Sequence, residues 1–155
     1  VKIEGVRKYE IIGFEEGVNK TVQISLENGK MTYPDGSFSN RLKSITKTIV
    51  YKNDKHFSTS QTGNASGLDS SGNSFEMKII STIIFLNTCL DQLNNRKGII
   101  PVAGIKTYTK DNYEVIIDFG DGECDFLADI TKEGITEIID LRKVYRKKRI
   151  KTKFN

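Results

Sequence analysis

The segment Tyr113–Ile130, YEVIIDFGDGECDFLADI, restricts the fold more than any other part of the chain. Two glycines flank an aspartate at Phe119-Gly120-Asp121-Gly122, and glycine reaches the positive φ of a tight turn at little steric cost. On either side the sequence predicts strands, Tyr113–Asp118 and Glu123–Thr131. In the second, Cys124, Phe126, Ala128 and Ile130 alternate with Glu123, Asp125 and Asp129. A period of two marks a strand with one face buried.

The same rhythm extends outward. Thr21–Leu26 alternates Val22, Ile24 and Leu26 with Gln23 and Ser25, and Asn28-Gly29 then predicts a two-residue hairpin with Lys30–Tyr33 returning. Pro34-Asp35-Gly36 predicts the next turn. Ser44–Tyr51 and His56–Thr62 are expected to form a hairpin about Asn53-Asp54. Residues 1–14 give only a weak strand signal, from Tyr9, Ile11 and Ile12. Gly63–Asn73, GNASGLDSSGN, is expected to be a loop or a pair of tight turns. Ser74–Cys89 is read as one long strand buried on both faces around Ile80–Leu86. After a polar excursion at Leu90–Gly98, the strands Ile99–Tyr108, Tyr113–Phe119, Glu123–Thr131 and Ile135–Tyr145 form a meander. Its turns are Lys110-Asp111-Asn112, Gly120-Asp121-Gly122 and Lys132-Glu133-Gly134.

These strands add up to an all-β, mainly antiparallel domain, a sandwich or a strongly curved sheet. At 155 residues with no internal linker, the chain is expected to form one domain over 1–145 and a basic tail over 146–155. No run of about 20 apolar residues is present, so no helix of this chain is expected to cross a membrane. The net charge of +4 hides an asymmetry: eight of the 24 basic residues follow Leu141, where there are no acids, leaving 16 against 20 before it. The run RKVYRKKRIKTKFN from Arg142 to Asn155 could meet anionic headgroups or phosphates, but a solvated end is the simpler expectation. Nucleic acid is not an expected partner.

With two cysteines in a strand-rich chain, a Cys89–Cys124 disulfide is the leading expectation and two buried thiols the alternative. Asp118, Asp121, Glu123 and Asp125 have the oxygen density of a calcium loop. They lack EF-hand spacing and its closing glutamate, so the favoured role is for Asp118 and Asp121 to accept hydrogen bonds from backbone amides around the glycines. His56, the sole histidine, is expected to be solvated beside its hairpin turn. No nucleophile elbow, phosphate-cradling loop or dinucleotide fingerprint occurs, and no cofactor is expected. Two carboxylates meeting in space would still permit a glycan hydrolase.

Several features, in order, resemble uncharacterised secreted or lipid-anchored proteins of Bacteroidetes: Asn64-Ala65-Ser66-Gly67, Gly72 before an apolar strand, Cys89 and Pro101-Val102-Ala103-Gly104. They continue with the box Asp118-Phe119-Gly120-Asp121-Gly122-Glu123-Cys124-Asp125, Ala128 and Gly134. The resemblance covers residues 62–142 and implies an envelope or surface location, with a lipid anchor upstream of Val1. It brings no activity, and the basic tail departs from it. The Asp118–Gly122 turn also resembles that of polycystic-kidney-disease-type Ig-like domains, but no Trp precedes it and Cys124 follows almost at once.

The expected function is a non-enzymatic envelope or secreted binding or structural lipoprotein, with a glycan or an envelope protein as ligand. The alternatives are a carboxylate-dependent hydrolase of an envelope or dietary glycan, and a calcium-dependent Ig-like adhesion module.

Overall fold

A computed structural model describes residues 1–89 and 100–144. The described residues are all-β, with ten strands in one antiparallel sheet. They are β1 (Lys2–Glu15), β2 (Asn19–Thr32), β3 (Phe38–Lys52), β4 (Lys55–Leu68), β5 (Ser74–Ile79), β6 (Ile83–Leu86), β7 (Ala103–Lys110), β8 (Tyr113–Asp121), β9 (Leu127–Lys132) and β10 (Ile135–Asp140). Their order is β1-β2-β3-β4-β5-β7-β8-β9-β10, and β6 pairs with both β4 and β7. The polar excursion at Leu90–Gly98 and the basic tail beyond Val144 lie outside the described residues.

Turn chemistry explains where the meander reverses. Asn53 and Asp54 have φ of 51° and 57°, the pair of left-handed residues that a two-residue hairpin loop requires. At Pro34-Asp35-Gly36, Gly36 donates its N–H to Tyr33 O at 3.0 Å, and Asp35 Oδ1 accepts from Ser37 N at 3.0 Å. Asp111 and the pair Glu133-Gly134 also take positive φ at the expected turns.

Several elements differ from expectation. Asn28-Gly29 is not a hairpin turn, because β2 continues through it to Thr32. Asn28 (φ 49°) is part of a bulge at which the register shifts against both neighbours. The weak signal at the N-terminus is a full 14-residue strand. The expected loop at Gly63–Asn73 is strand as far as Leu68, with the turn confined to Asp69–Gly72. Here the glycines serve close packing. A Cβ on Gly63 or Gly67 would fall far inside contact distance of the β3 carbonyl oxygens of Ser44 and Asn40 respectively.

The long strand Ser74–Cys89 occupies one lane of the sheet but is broken. β5 pairs with the second half of β4 and β6 with the first. Between them Ile80 and Ser81 both donate N–H to Ile105 O, while Ser81 Oγ accepts from Ile105 N at 2.7 Å. Ile80 is therefore turned out and 60% exposed, and within Ile80–Leu86 only Ile83 is buried. Gly104 (φ +99°) permits the approach, since a Cβ there would run into Thr82 O. The meander strands are also trimmed: β7 starts at Ala103, β9 at Leu127, and β10 ends at Asp140 before a helical turn at Leu141–Val144.

The main core comprises Ile83, Cys89, Ile100, Val102, Phe119, Phe126, Ala128 and Leu141. Cys89 and Cys124 form the expected disulfide, with Cα atoms 5.4 Å apart. It fastens the turn after β6 to the β8–β9 connection, where Phe126 is buried despite a φ of 61°. A positive φ in a bulky residue is costly and persists only where its surroundings impose it. The disulfide at Cys124, the Leu127 N–H on Asp125 Oδ1 (2.9 Å) and the Leu141 N–H on Phe126 O (2.9 Å) impose it here.

Candidate functional site: a cationic and aromatic sheet face

Directly opposed residues in neighbouring strands share a face, and alternate residues along one strand do too. The register therefore divides the side chains of β1–β5 into an Ile45 face and a Thr46 face. On the Ile45 face, Arg7 opposes Leu26, Leu26 opposes Lys43, Lys43 opposes Ala65, and Ala65 opposes Met77. The line continues from Met77 to Tyr108 and on to Val115. A parallel line runs from Arg41 through Gly67, Phe75 and Lys110 to Tyr113. Val22, Ile24, Ile45 and Ala65, all on this face, are buried. The stems of Lys43 and Lys47, opposite Leu26 and Val22, are placed to shade them while the ammonium groups reach water.

Charge separates across the sheet. The carboxylates of β1–β5 are Glu4, Glu10, Glu15, Glu27 and Glu76, and the register puts each on the Thr46 face. The Ile45 face of the same strands carries Arg7, Lys20, Arg41, Lys43 and Lys47 with no carboxylate. Lys43 registers the crowding. Burial, followed by the charges of Arg41, Lys47 and Arg7, holds its ammonium below the usual lysine range.

Aromatic rings share this face beyond β4. Phe75 and Tyr108 stack with centroids 6.1 Å apart and planes 17° from parallel. Tyr113, 54% exposed, lies beneath the Lys132 ammonium, 4.9 Å from its centroid. Lys110, between Phe75 and Tyr113 in the register, is held by Asp69 at 2.6 Å. Over β4 only Ala65 and the two glycines separate cations from rings, so the surface stays low and continuous. Such a surface offers charge to an anion and flat apolar area to a ring.

The acidic turn is arranged differently. Gly120 donates its N–H to Asp118 Oδ1 at 2.9 Å, and Asp125 makes the equivalent bond with Leu127. These are the turn-amide bonds expected for Asp118, with Asp125 in the second role that Asp121 was expected to fill. Asp121 and Glu123 are exposed. Among the described residues no three His, Cys, Asp or Glu side chains converge as a metal ion would need. With Asp118 and Asp125 engaged by amides and no convergent set of acids, calcium has little to gain, so melting temperatures with millimolar calcium and with chelator should agree to within about a degree. A rise of several degrees that Asp121→Ala abolishes would restore the calcium reading.

His56 is not solvated. It is half-buried, its Nε2 lies 2.8 Å from Thr59 Oγ1, and its carbonyl accepts from Asn87 Nδ2 at 2.7 Å. A hydrolase would find two glutamates, Glu114 and Glu133, in a shallow depression of about 290 Å³ that also includes Tyr113 and Thr131. Both glutamates are exposed.

The cationic face went unread in the sequence, although a signal was there. Arg41, Lys43 and Lys47 keep a period of two inside an acid-free run from Gly36 to Asn53. No family model, no curated protein and no solved structure matches the chain.

Proposed function

We propose that this chain is a non-enzymatic binding protein of the cell envelope or the extracellular space, and that its Ile45 face takes an acidic glycan. One observation carries the reading: the carboxylates of β1–β5 are on the opposite face, leaving Arg7, Arg41, Lys43 and Lys47 on the face that also bears Phe75 and Tyr108. Uronate or sulfate groups would relieve the mutual repulsion of these cations, and sugar rings would lie on the aromatic pair. The Cys89–Cys124 bond fits an oxidising compartment, and no helix among the described residues is long and apolar enough to span a membrane. Attachment through a lipid upstream of Val1, as in the resembling Bacteroidetes proteins, belongs to the same proposal.

Binding to immobilised heparin, alginate, neutral dextran and duplex DNA tests it. The expected result is salt-sensitive retention on the acidic polysaccharides and none on dextran. Arg41→Glu/Lys43→Glu should weaken that retention by about ten-fold or more. Equal retention on dextran, tighter binding to DNA, or indifference to the double reversal would refute it.

Lys43→Met separates affinity from stability. Because the folded-state pKa of Lys43 is depressed, its charged form is the one the fold disfavours. The native state therefore gains stability as pH rises through that depressed value towards the ordinary lysine range. Removing the charge should leave the free protein as stable or slightly more so, by no more than about 0.5 kcal/mol after solvent screening. Glycan affinity should fall.

A further inference from the structure

The outer edge of β1 faces no other strand among the described residues, since the sheet order begins there. It is an unusual edge. Ile3, Val6, Tyr9 and Ile11 are all more than half exposed. An edge strand of this length with exposed apolar side chains is a template for pairing unless something guards it. Lysines are the common guards, and β1 has Lys2 and Lys8. They guard only if an incoming strand brings like charge to meet them.

A second copy does the reverse. Antiparallel self-pairing about a two-fold axis at Val6 sets Lys2 opposite Glu10 and Glu4 opposite Lys8, each occurring twice. In that register Ile3 meets Tyr9 on the Ile45 face, and Val6 meets its own counterpart. Sliding the axis one residue to Arg7 would oppose Glu4 to Glu10 and Arg7 to itself. An axis at Gly5 would oppose Lys2 to Lys8. Among these, the Val6 register alone gives Lys2, Glu4, Lys8 and Glu10 each an opposite charge, and Arg7 meets Gly5.

The extra residue of the first irregularity is on β2, so residues of β1 alternate between the two faces from Lys2 to Ile11, through a Gly5 at φ +126°. Ile12, the extra residue of the second bulge, ends the regular stretch just past Glu10. Existing ion pairs do not compete strongly: Lys2–Glu4 and Lys8–Glu27 are both 2.8 Å long, on side chains at least 44% exposed.

We propose that two copies of this chain join edge to edge through β1, antiparallel and centred on Val6, into one continuous sheet. Both Ile45 faces then lie on the same side of that sheet.

Introduced thiols and charge reversals test this, read by sedimentation velocity and non-reducing electrophoresis. Both native cysteines are in the disulfide, so an added cysteine is the only free thiol. Val6→Cys should form a covalent dimer under mild oxidation, as opposed strand residues are within disulfide reach. Glu10→Cys should not, because eight residues of strand place it roughly 26 Å from its counterpart. Lys8→Glu should raise the dimer dissociation constant about ten-fold or more by setting Glu4 against glutamate twice. The swap Glu4→Lys/Lys8→Glu should bring it back to near the parent value, and far-UV spectra should show every variant folded. A chain that stays monomeric at ~200 µM would overturn the proposal. So would equal cross-linking at positions 6 and 10, or a dimer indifferent to the reversal and the swap.

Discussion

Replacing Cys89 and Cys124 together by alanine is expected to lower unfolding free energy by about 4 kcal/mol, the chain-entropy value for a loop closed over a separation of 35 residues. At this chain length that corresponds to a melting temperature lower by roughly 10 °C. Cys89 is 1% exposed within the main core, and Cys124 anchors the connection that keeps Phe126 at positive φ. The one bond therefore supplies the entropic tie and part of what holds a strained, buried ring, beside the Leu127–Asp125 and Leu141–Phe126 hydrogen bonds. Calorimetry of the parent with and without reductant, beside the double alanine variant, measures the effect. A loss below about 1 kcal/mol would mean that the β8–β9 connection holds Phe126 unaided.

Much of the architecture was legible because turns and alternation are local properties. Asn53-Asp54, Pro34-Asp35-Gly36 and Glu133-Gly134 reverse the chain where their chemistry says, and the disulfide follows from there being two cysteines in a strand-rich chain. What escaped depended on the partner strand. Asn28-Gly29 has the composition of a hairpin turn, yet β1 and β3 pair on both sides of it and make it a bulge. That bulge changes parity along β2. Counting by twos from Val22 would put Lys30 on the Ile45 face, whereas the register pairs Lys30 with Asn40 and brings Met31 round instead. The charge separation of the two faces is thus a property of register. The period of two along β3 gives its cations, but no count along β2 alone gives the face of Lys30 or Met31. Glycines mislead in a related way, because Gly63 and Gly67 are spaced like loop residues but are selected by the backbone of β3.

Gly63→Ala should be the most damaging single change among the β4 glycines, at about 4 kcal/mol or more, in the range reserved for core cavities and buried strain. Gly63 has φ +121°, and an added Cβ would collide with Ser44 O and sit 3.0 Å from Ile45 Cα and from the Ser44 carbonyl carbon. All three are backbone atoms of β3, so no side chain can swing aside to relieve the clash. Gly72→Ala provides the comparison, since its φ is +82° with nothing within 4 Å of the added carbon. Only the conformational penalty remains there, about 1 kcal/mol. The difference between the two unfolding free energies therefore isolates the close approach of β4 to β3. Equal losses would show that β3 yields easily. Where Gly63→Ala still folds, β4 must shift against Ile45, moving Ala65 relative to Lys43 and with it the boundary between cations and rings. Its acidic-glycan affinity should then fall beyond what the lost stability alone explains, while Gly72→Ala binds like the parent.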